Sequence, residues 1–257
     1  MLGPIKKLLR RRAASPVFDA PIEIDRPTYA IGDIHGRHDL LIALLERIAD
    51  DAARHGFEDA RLVFLGDYVD RGEESAQVLA TLGALARDGG DSVALLRGNH
   101  EQMLLDFIAD PAAGGPRWLS NGGLQTLMSY GVGGLGPASD PQALTDAAAR
   151  LAQAMGPDLD LLRLTPDSAL FGRVLFAHAG ADPALPPERQ EARALLWGAP
   201  GFRRTPRADG LWVAHGHWVV DEPSAEQGRI ALDTGAWFSG RLTAARIAQG
   251  EVAFLQT

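Results

Sequence analysis

Five short apolar runs in this chain each pass straight into a glycine-flanked polar cluster. The clusters are GDIHG at Gly32–Gly36, GDYVDRG at Gly66–Gly72, GNHE at Gly98–Glu101, FAHAG at Phe176–Gly180 and HGHW at His215–Trp218. This pattern constrains the fold, because a strand that ends in a tight polar turn delivers its functional side chains to one edge of a sheet. The glycines permit the sharp backbone paths that such turns need. In sheets built from strand–helix–strand units, ligands collect at the carboxyl ends of the strands. Clusters far apart in sequence therefore meet in one place.

The first half alternates in that way. Thr28–Ile31, Arg61–Leu65 and Ser92–Leu96 read as strands, and Asp39–Arg54, Glu73–Arg87 and about Glu101–Ala109 as helices. In Asp39–Arg54 the apolar residues Leu41, Leu44, Leu45 and Ile48 recur at helical spacing. The alternation predicts a parallel sheet. Residues 109–170 differ, being rich in Ala, Gly, Pro and Asp. PAAGGPRWLSNGG followed by a helical Pro141–Met155 predicts a small helical insertion whose glycine-rich pieces are mobile, as a lid would be. The last third is rich in β-formers, over Arg173–Ala177, Leu211–Ala214, Arg229–Leu232, Leu242–Ile247 and Val252–Gln256. Gln249-Gly250 reads as the turn of a closing hairpin. A second sheet packed on the first gives an α/β fold, a four-layer αββα sandwich. The expected organisation is a basic, flexible segment over 1–27 and one domain over 28–257 that carries the insertion.

A chain of 257 residues with 46% hydrophobic residues suits one such domain. The absence of cysteine excludes disulfides, thiolate zinc sites and cysteine-nucleophile phosphatase chemistry. A reducing cytoplasm is compatible with that composition and is the expected location. A net charge of −8 argues against nucleic acid as a partner, so an anionic ligand must be drawn by the local field of metal ions and a few arginines. No apolar run is long enough to span a bilayer. The N-terminal MLGPIKKLLRRRAASP has no apolar stretch after its basic residues, unlike a signal peptide, and reads as a solvated tail.

The clusters carry the chemistry. Asp33 and His35 are two apart in one loop and can turn to the same ion. Asp67, just after its strand, is the natural bridge between two ions, and Asp70 and Arg71 follow it. Carboxylates in neighbouring loops repel one another, and no lysine cluster offsets them, so metal is the simplest compensation. Asn99 offers the neutral carbonyl oxygen that hard metals accept. His100 can face a metal or a leaving group, with Asp70 placed to orient it. Of seven histidines, His35, His100, His178, His215 and His217 lie in the clusters. His38 and His55 read as surface residues of a helix. Two adjacent ions clamp the attacking and leaving oxygens of a phosphoryl group, so phosphate-ester hydrolysis is the expected reaction.

In order and spacing, GDIHG, GDYVDRG, GNHE and HAG resemble the phosphoprotein phosphatases, the serine/threonine branch of the calcineurin-like metallophosphoesterases. The resemblance covers the motif-bearing segments from about Thr28 onward and little of the insertion. GNHEQM, WLSNGG and the DTGA at Asp233–Ala236 are similar to small bacterial and phage members. It implies a first divalent ion on Asp33, His35 and Asp67, and a second on Asp67, Asn99, His178 and His217. Manganese is the first expectation, and iron or zinc also suits such donors. It further implies His100 with Asp70 as an acid pair, Arg71 as the phosphate grip, Asn99 and His100 against substrate, and His215 as a structural neighbour. The activity implied is one-step hydrolysis of a phosphomonoester by a hydroxide bridging the two ions. The substrate would be above all a phosphorylated protein, or a small phosphoester.

Two positions depart from the family pattern. Ala199 stands where an arginine that also grips phosphate is expected, and Arg203, Arg204 or Arg207 are the nearby substitutes. Trp218 replaces a threonine, and Gly-His-Trp is similar to the symmetrical dinucleoside-tetraphosphate hydrolases of the same fold. Those hydrolases usually lack the complete Asp-Arg-Gly and Asn-His-Glu found here. They form the alternative enzymatic reading, and a phosphate-binding relic without turnover is the non-enzymatic one.

Overall fold

Backbone pairing joins the strands into two five-stranded sheets that share an apolar interior. The computed structural model describes residues 18–136 and 139–257, so the basic run Met1–Pro16 lies outside the described residues. In the first sheet β1 (Thr28–Ile31), β2 (Arg61–Phe64) and β3 (Val93–Leu95) run parallel, while β9 (Thr243–Ala248) is antiparallel to β1 and carries β10 (Glu251–Gln256) at the edge. The second sheet has the order β4 (Ser168–Phe171), β5 (Val174–Ala177), β6 (Trp212–His215), β8 (Arg229–Ala231), β7 (Ser224–Glu226). Its three central strands are parallel and both outer pairs antiparallel.

Successive residues of a strand face opposite sides, and here each side has its own partner. Ala30, Val63, Val174, Phe176, Ala214 and Ile230 point between the sheets into one cluster. Tyr29, Ile31, Phe64 and Leu95 point the other way, onto helices. These helices include α1 (His38–His55), α2 (Ser75–Gly89) and α3 (Asn99–Ala109). Leu41, Leu44 and Ile48 form the buried stripe of α1, as their spacing predicts. The helix stops at Gly56, whose φ of 67° supplies the left-handed cap. Leu175, Ala177 and Val213 face outward from the second sheet onto Leu195 and Phe202, so its outer layer is thin. The αββα sandwich is the observed architecture.

Register sets the loops side by side. Ile31 pairs with Phe64, so the turns after β1 and β2 leave the sheet together. Gln249 and Gly250, with φ of 53° and 81°, join β9 to β10 as the hairpin pattern predicts.

The segment expected to hold mobile glycine-rich pieces is instead built of packed helices. These are α4 (Pro111–Trp118), α5 (Leu124–Ser129), α6 (Pro141–Met155) and α7 (Pro157–Leu164). A side chain at Gly114 would strike the backbone of Phe107. The glycine there serves close packing of α4 on α3 rather than freedom. Trp118 ends α4 fully buried, stacked on Phe107 at 4.8 Å. The segment's last residues form β4, which its sequence did not announce. Nor was the boundary at residue 28 a structural one. Ile22 is buried in the inter-sheet cluster, and Asp25 forms a bidentate ion pair with Arg61 at 2.8 Å. Among the described residues no helix is long and apolar enough to cross a membrane.

Phe176 is fully buried between the sheets, whereas Leu164 is 83% exposed. Phe176→Ala is expected to cost about 3–5 kcal/mol by cavity formation. Leu164→Ala should stay within about 0.5 kcal/mol. Urea unfolding of the two variants checks the difference.

Candidate active site

The polar clusters converge at the carboxyl ends of β1, β2, β3, β5 and β6. Five non-glycine residues among them have left-handed backbone: His35 at φ 48°, Asp67 at 55°, Asp70 at 73°, Arg71 at 69° and His217 at 63°. Such conformations are uncommon outside glycine and concentrate at functional sites, held by their surroundings. The only other described examples, Gln227 and Gln249, lie in hairpin turns. The loops are pressed together. A side chain on Gly216 would collide with the Asp33 carboxylate, and one on Gly72 with the His35 carbonyl.

Asp67 is the centre. Its Oδ2 lies 3.5 Å from His35 Nε2, 3.4 Å from His178 Nε2 and 3.9 Å from His100 Nε2. Donor atoms of His35, Asp67 and His100 all lie within 4.8 Å of one another, and so do those of Asp67, His178 and His217. Asn99 Oδ1 is 2.8 Å from His178 Nε2, which is 3.1 Å from His217 Nδ1. The outer nitrogens fix the rings. His35 Nδ1 donates to the Val69 carbonyl at 2.9 Å and His178 Nδ1 to Leu65 at 3.0 Å, which turns both Nε2 atoms inward. This is the arrangement of metal-binding histidines. Asp33 stands beside the convergent set, its two oxygens accepting from the His217 N–H at 3.1 and 3.2 Å.

The charges fit cations at this place. Burial pushes Asp33 well up, and the charges of Asp233 and Asp67 add to that effect. Burial alone would also raise Asp67, but the imidazoles of His178, His100 and His35 hold it well below the usual carboxylate range. Burial drives His35 down to about 3, and burial with His178 drives His217 down to about 4, so both rings are neutral donors. Burial opposes protonation of His178, yet Asp67 and Asp33 hold it up at about 10. The same carboxylates that favour a charged imidazole here would favour a bound cation. Two oxygen-and-nitrogen donor sets flanking one carboxylate suit divalent ions.

A second layer locks this geometry. Glu101 accepts from four backbone N–H groups: Asp67 at 2.7 Å, Gly98 at 2.9 Å, Tyr68 at 2.8 Å and Val69 at 3.2 Å. It thereby ties the β2 loop to the first turn of α3. Asp70 is fully buried and holds His100 Nδ1 at 2.7 Å. Its oxygens also accept from Trp118 Nε1 at 3.0 Å and Thr126 Oγ1 at 2.6 Å. Burial opposes protonation of His100, but Asp67 and Asp70 hold its imidazole above the usual range. Arg71 Nη2 sits 3.1 Å from His100 Nε2.

The remaining predicted residues sort plainly. His215 is buried, with Nδ1 2.9 Å from the Gly216 carbonyl and its ring edge-on to Phe202 at 5.0 Å. Arg207 is taken up by an ion pair with Asp209 and by the carbonyls of Asp182 and Leu185. Arg203 and Arg204 line a cleft with Ala199 and Trp218, and the Arg203 guanidinium lies 5.2 Å from the Trp218 ring. The indole of Trp218 donates to the Ala179 carbonyl at 3.0 Å. Sequence reading assigned no role to Glu101, Trp118, Thr126 or Asp233. Only Glu101 had a local signal, as the third residue of a helix that starts at Asn99 behind the N-cap Gly98.

Residues 26–221 match the family of calcineurin-like phosphoesterases, to which this chain belongs. It is 28% identical to the symmetrical bis(5'-nucleosyl)-tetraphosphatase of Salmonella arizonae, over 85% of this chain and 90% of that one. It is 29% identical to the asymmetrical bis(5'-nucleosyl)-tetraphosphatase PrpE of Bacillus velezensis, over 88% of this chain and 91% of that one. The fold is shared with a putative diadenosine tetraphosphatase (TM-score 0.58, 20% identity, 93% of this chain and 98% of that one). A serine/threonine phosphatase from Saccharomyces cerevisiae shares it too (TM-score 0.55, 17% identity, 90% of this chain and 79% of that one).

Glu101→Gln replaces one of two accepting oxygens by an NH2 group facing buried N–H donors and is expected to cost about 1–3 kcal/mol. The β2 loop should loosen with it. Faster amide exchange at Asp67–Val69 than at β1 checks this, and unchanged exchange contradicts it.

Proposed function

We propose that this phosphoesterase hydrolyses dinucleoside polyphosphates at a site with two divalent metal ions. The observation that carries the substrate class is the match to two bis(5'-nucleosyl)-tetraphosphatases, each over at least 85% of this chain. The phosphoserine or phosphothreonine substrate implied by the motif resemblance becomes the second reading. It is favoured by the complete Asp70-Arg71-Gly72 and Asn99-His100-Glu101.

His35 and Asp67, with Asp33 beside them, would hold one ion, and Asp67, Asn99, His178 and His217 the other. When bound, the ions supply Lewis acidity and activate water. Manganese, iron and zinc all suit the donors. Arg71 grips oxygens of the reacting phosphoryl group through a bidentate, charge-assisted contact. The first turn of α3, which starts at Asn99, turns its N–H end to the site, where the His100 N–H donates to Asp67 Oδ1 at 3.0 Å. His100 delivers a proton from Nε2 to the departing oxygen, and Asp70 keeps Nδ1 protonated and the ring in place. A phosphate oxygen on Arg71 draws the guanidinium off Nε2 and frees it for that role. The water oxygen forms the new P–O bond, and the bond to the leaving oxygen breaks.

Incubation of metal-loaded protein with diadenosine tetraphosphate and, separately, a phosphoserine peptide tests the assignment. The dinucleotide is expected to turn over faster. Two ADP, or ATP with AMP, would define the symmetry of cleavage. Faster release of phosphate from the peptide overturns the reading.

The leaving group also reports on His100. An alkoxide needs a proton, whereas a nucleoside phosphate leaves as a stable anion. His100→Asn is therefore expected to slow an alkyl phosphomonoester by about 10²–10⁴-fold, and diadenosine tetraphosphate by much less. Equal losses on both substrates would show that His100 is not the acid.

A further inference from the structure

One pair of aromatic side chains at the rim of the site has no role in the chemistry above. Trp237 and Phe238 lie on α8 (Ala236–Ser239), 42% and 59% exposed, with ring centroids 5.2 Å apart at 74°. Large aromatic rings left in solvent beside a catalytic centre are contact surfaces by chemistry, with an apolar face to offer. Their position is fixed from beneath. The Gly235 N–H donates to buried Asp233 at 2.8 Å, Ser239 Oγ donates to the Thr234 carbonyl at 2.7 Å, and Arg37 Nη1 donates to the Ala236 carbonyl at 3.1 Å. The pair is thus a presented surface on a braced turn.

Arg71 connects it to the chemistry. Its guanidinium carbon lies 5.5 Å from the Trp237 ring centroid, and its Nη2 lies 3.1 Å from His100 Nε2. A ligand that places a phosphate on Arg71 therefore has an aromatic face next to it. We propose that Trp237 and Phe238 form the stacking platform for one nucleobase of a nucleotide substrate whose phosphate is held by Arg71. This inference rests on the dinucleoside-polyphosphate reading. A nucleotide carries a flat π face at a fixed reach from its phosphates, and aromatic stacking accepts any base. A phosphoserine carries no ring to fill the same surface.

Equilibrium binding separates the two claims, because it needs no turnover. Calorimetry on the metal-loaded protein compares ADP with pyrophosphate, which lacks base and ribose. Wild-type protein is expected to prefer ADP. Trp237→Ala should weaken ADP at least about 5-fold more than pyrophosphate, given the usual strength of base stacking. Trp237→Phe should restore most of the preference, as loss of fold or of metal would not. Phe238→Ala serves as a second variant and should weaken ADP in the same selective way. Equal weakening of both ligands, or an unchanged preference for ADP, overturns the platform. A wild-type protein that cleaves diadenosine tetraphosphate but binds ADP no better than pyrophosphate overturns the platform alone. One that prefers ADP through Trp237 yet cleaves no dinucleotide supports the platform and removes the reading of the reaction.

Discussion

Asp67 keeps a carboxylate out of water within reach of three imidazoles, and much of the molecule serves to hold it there. A lone buried charge is expensive, so it persists only where opposite charge faces it. Here the histidines come from three different strand ends, and Asp33 and Asp233 crowd two more carboxyl groups nearby, both pushed up by burial. Two cations at this point would satisfy all of these groups at once. The same left-handed backbone that aims Asp67 is fastened by the four N–H bonds to Glu101. Loop backbone, helix start and the donor cluster are thus one linked arrangement.

The His100 side of the site depends on a different part of the chain. His100 is oriented by Asp70, and Asp70 is held by Trp118 and Thr126 from the helical insertion. A carboxylate with these partners has few lone pairs left and little freedom to turn. The insertion therefore acts as a wall of the centre, and its packing on α3 reaches His100 through the bonds of Trp118 and Thr126 to Asp70.

Much of this was legible in the sequence. Apolar runs that end in Gly-flanked Asp and His predicted strand ends and brought the donor residues together. Helical spacing located α1 and α6 almost to the residue. The misses have physical reasons. β7, with the sequence Ser-Ala-Glu, lacks an apolar pattern because it is a short outer strand that pairs through its backbone. PAAGGPRW reads as a loop by propensity, yet its glycine admits close contact with α3 and burial of Trp118 rewards the helix. Trp118 and Thr126 lie 48 and 56 positions from Asp70, so no local pattern joins them. Arg203 and Arg207 look alike in sequence. Only folding shows that Arg207 is spent on Asp209 and backbone carbonyls while Arg203 lines the cleft beside Trp218.

The proposed two-metal centre depends on Asp67 as its shared ligand. Elemental analysis of protein purified from manganese-supplemented medium, wild type beside Asp67→Asn, tests that claim most directly. About two ions per chain are predicted for wild type, with loss of both in the variant while far-ultraviolet circular dichroism stays unchanged. Two tightly held ions in a folded Asp67→Asn variant, or a wild-type protein that takes up none, would contradict it.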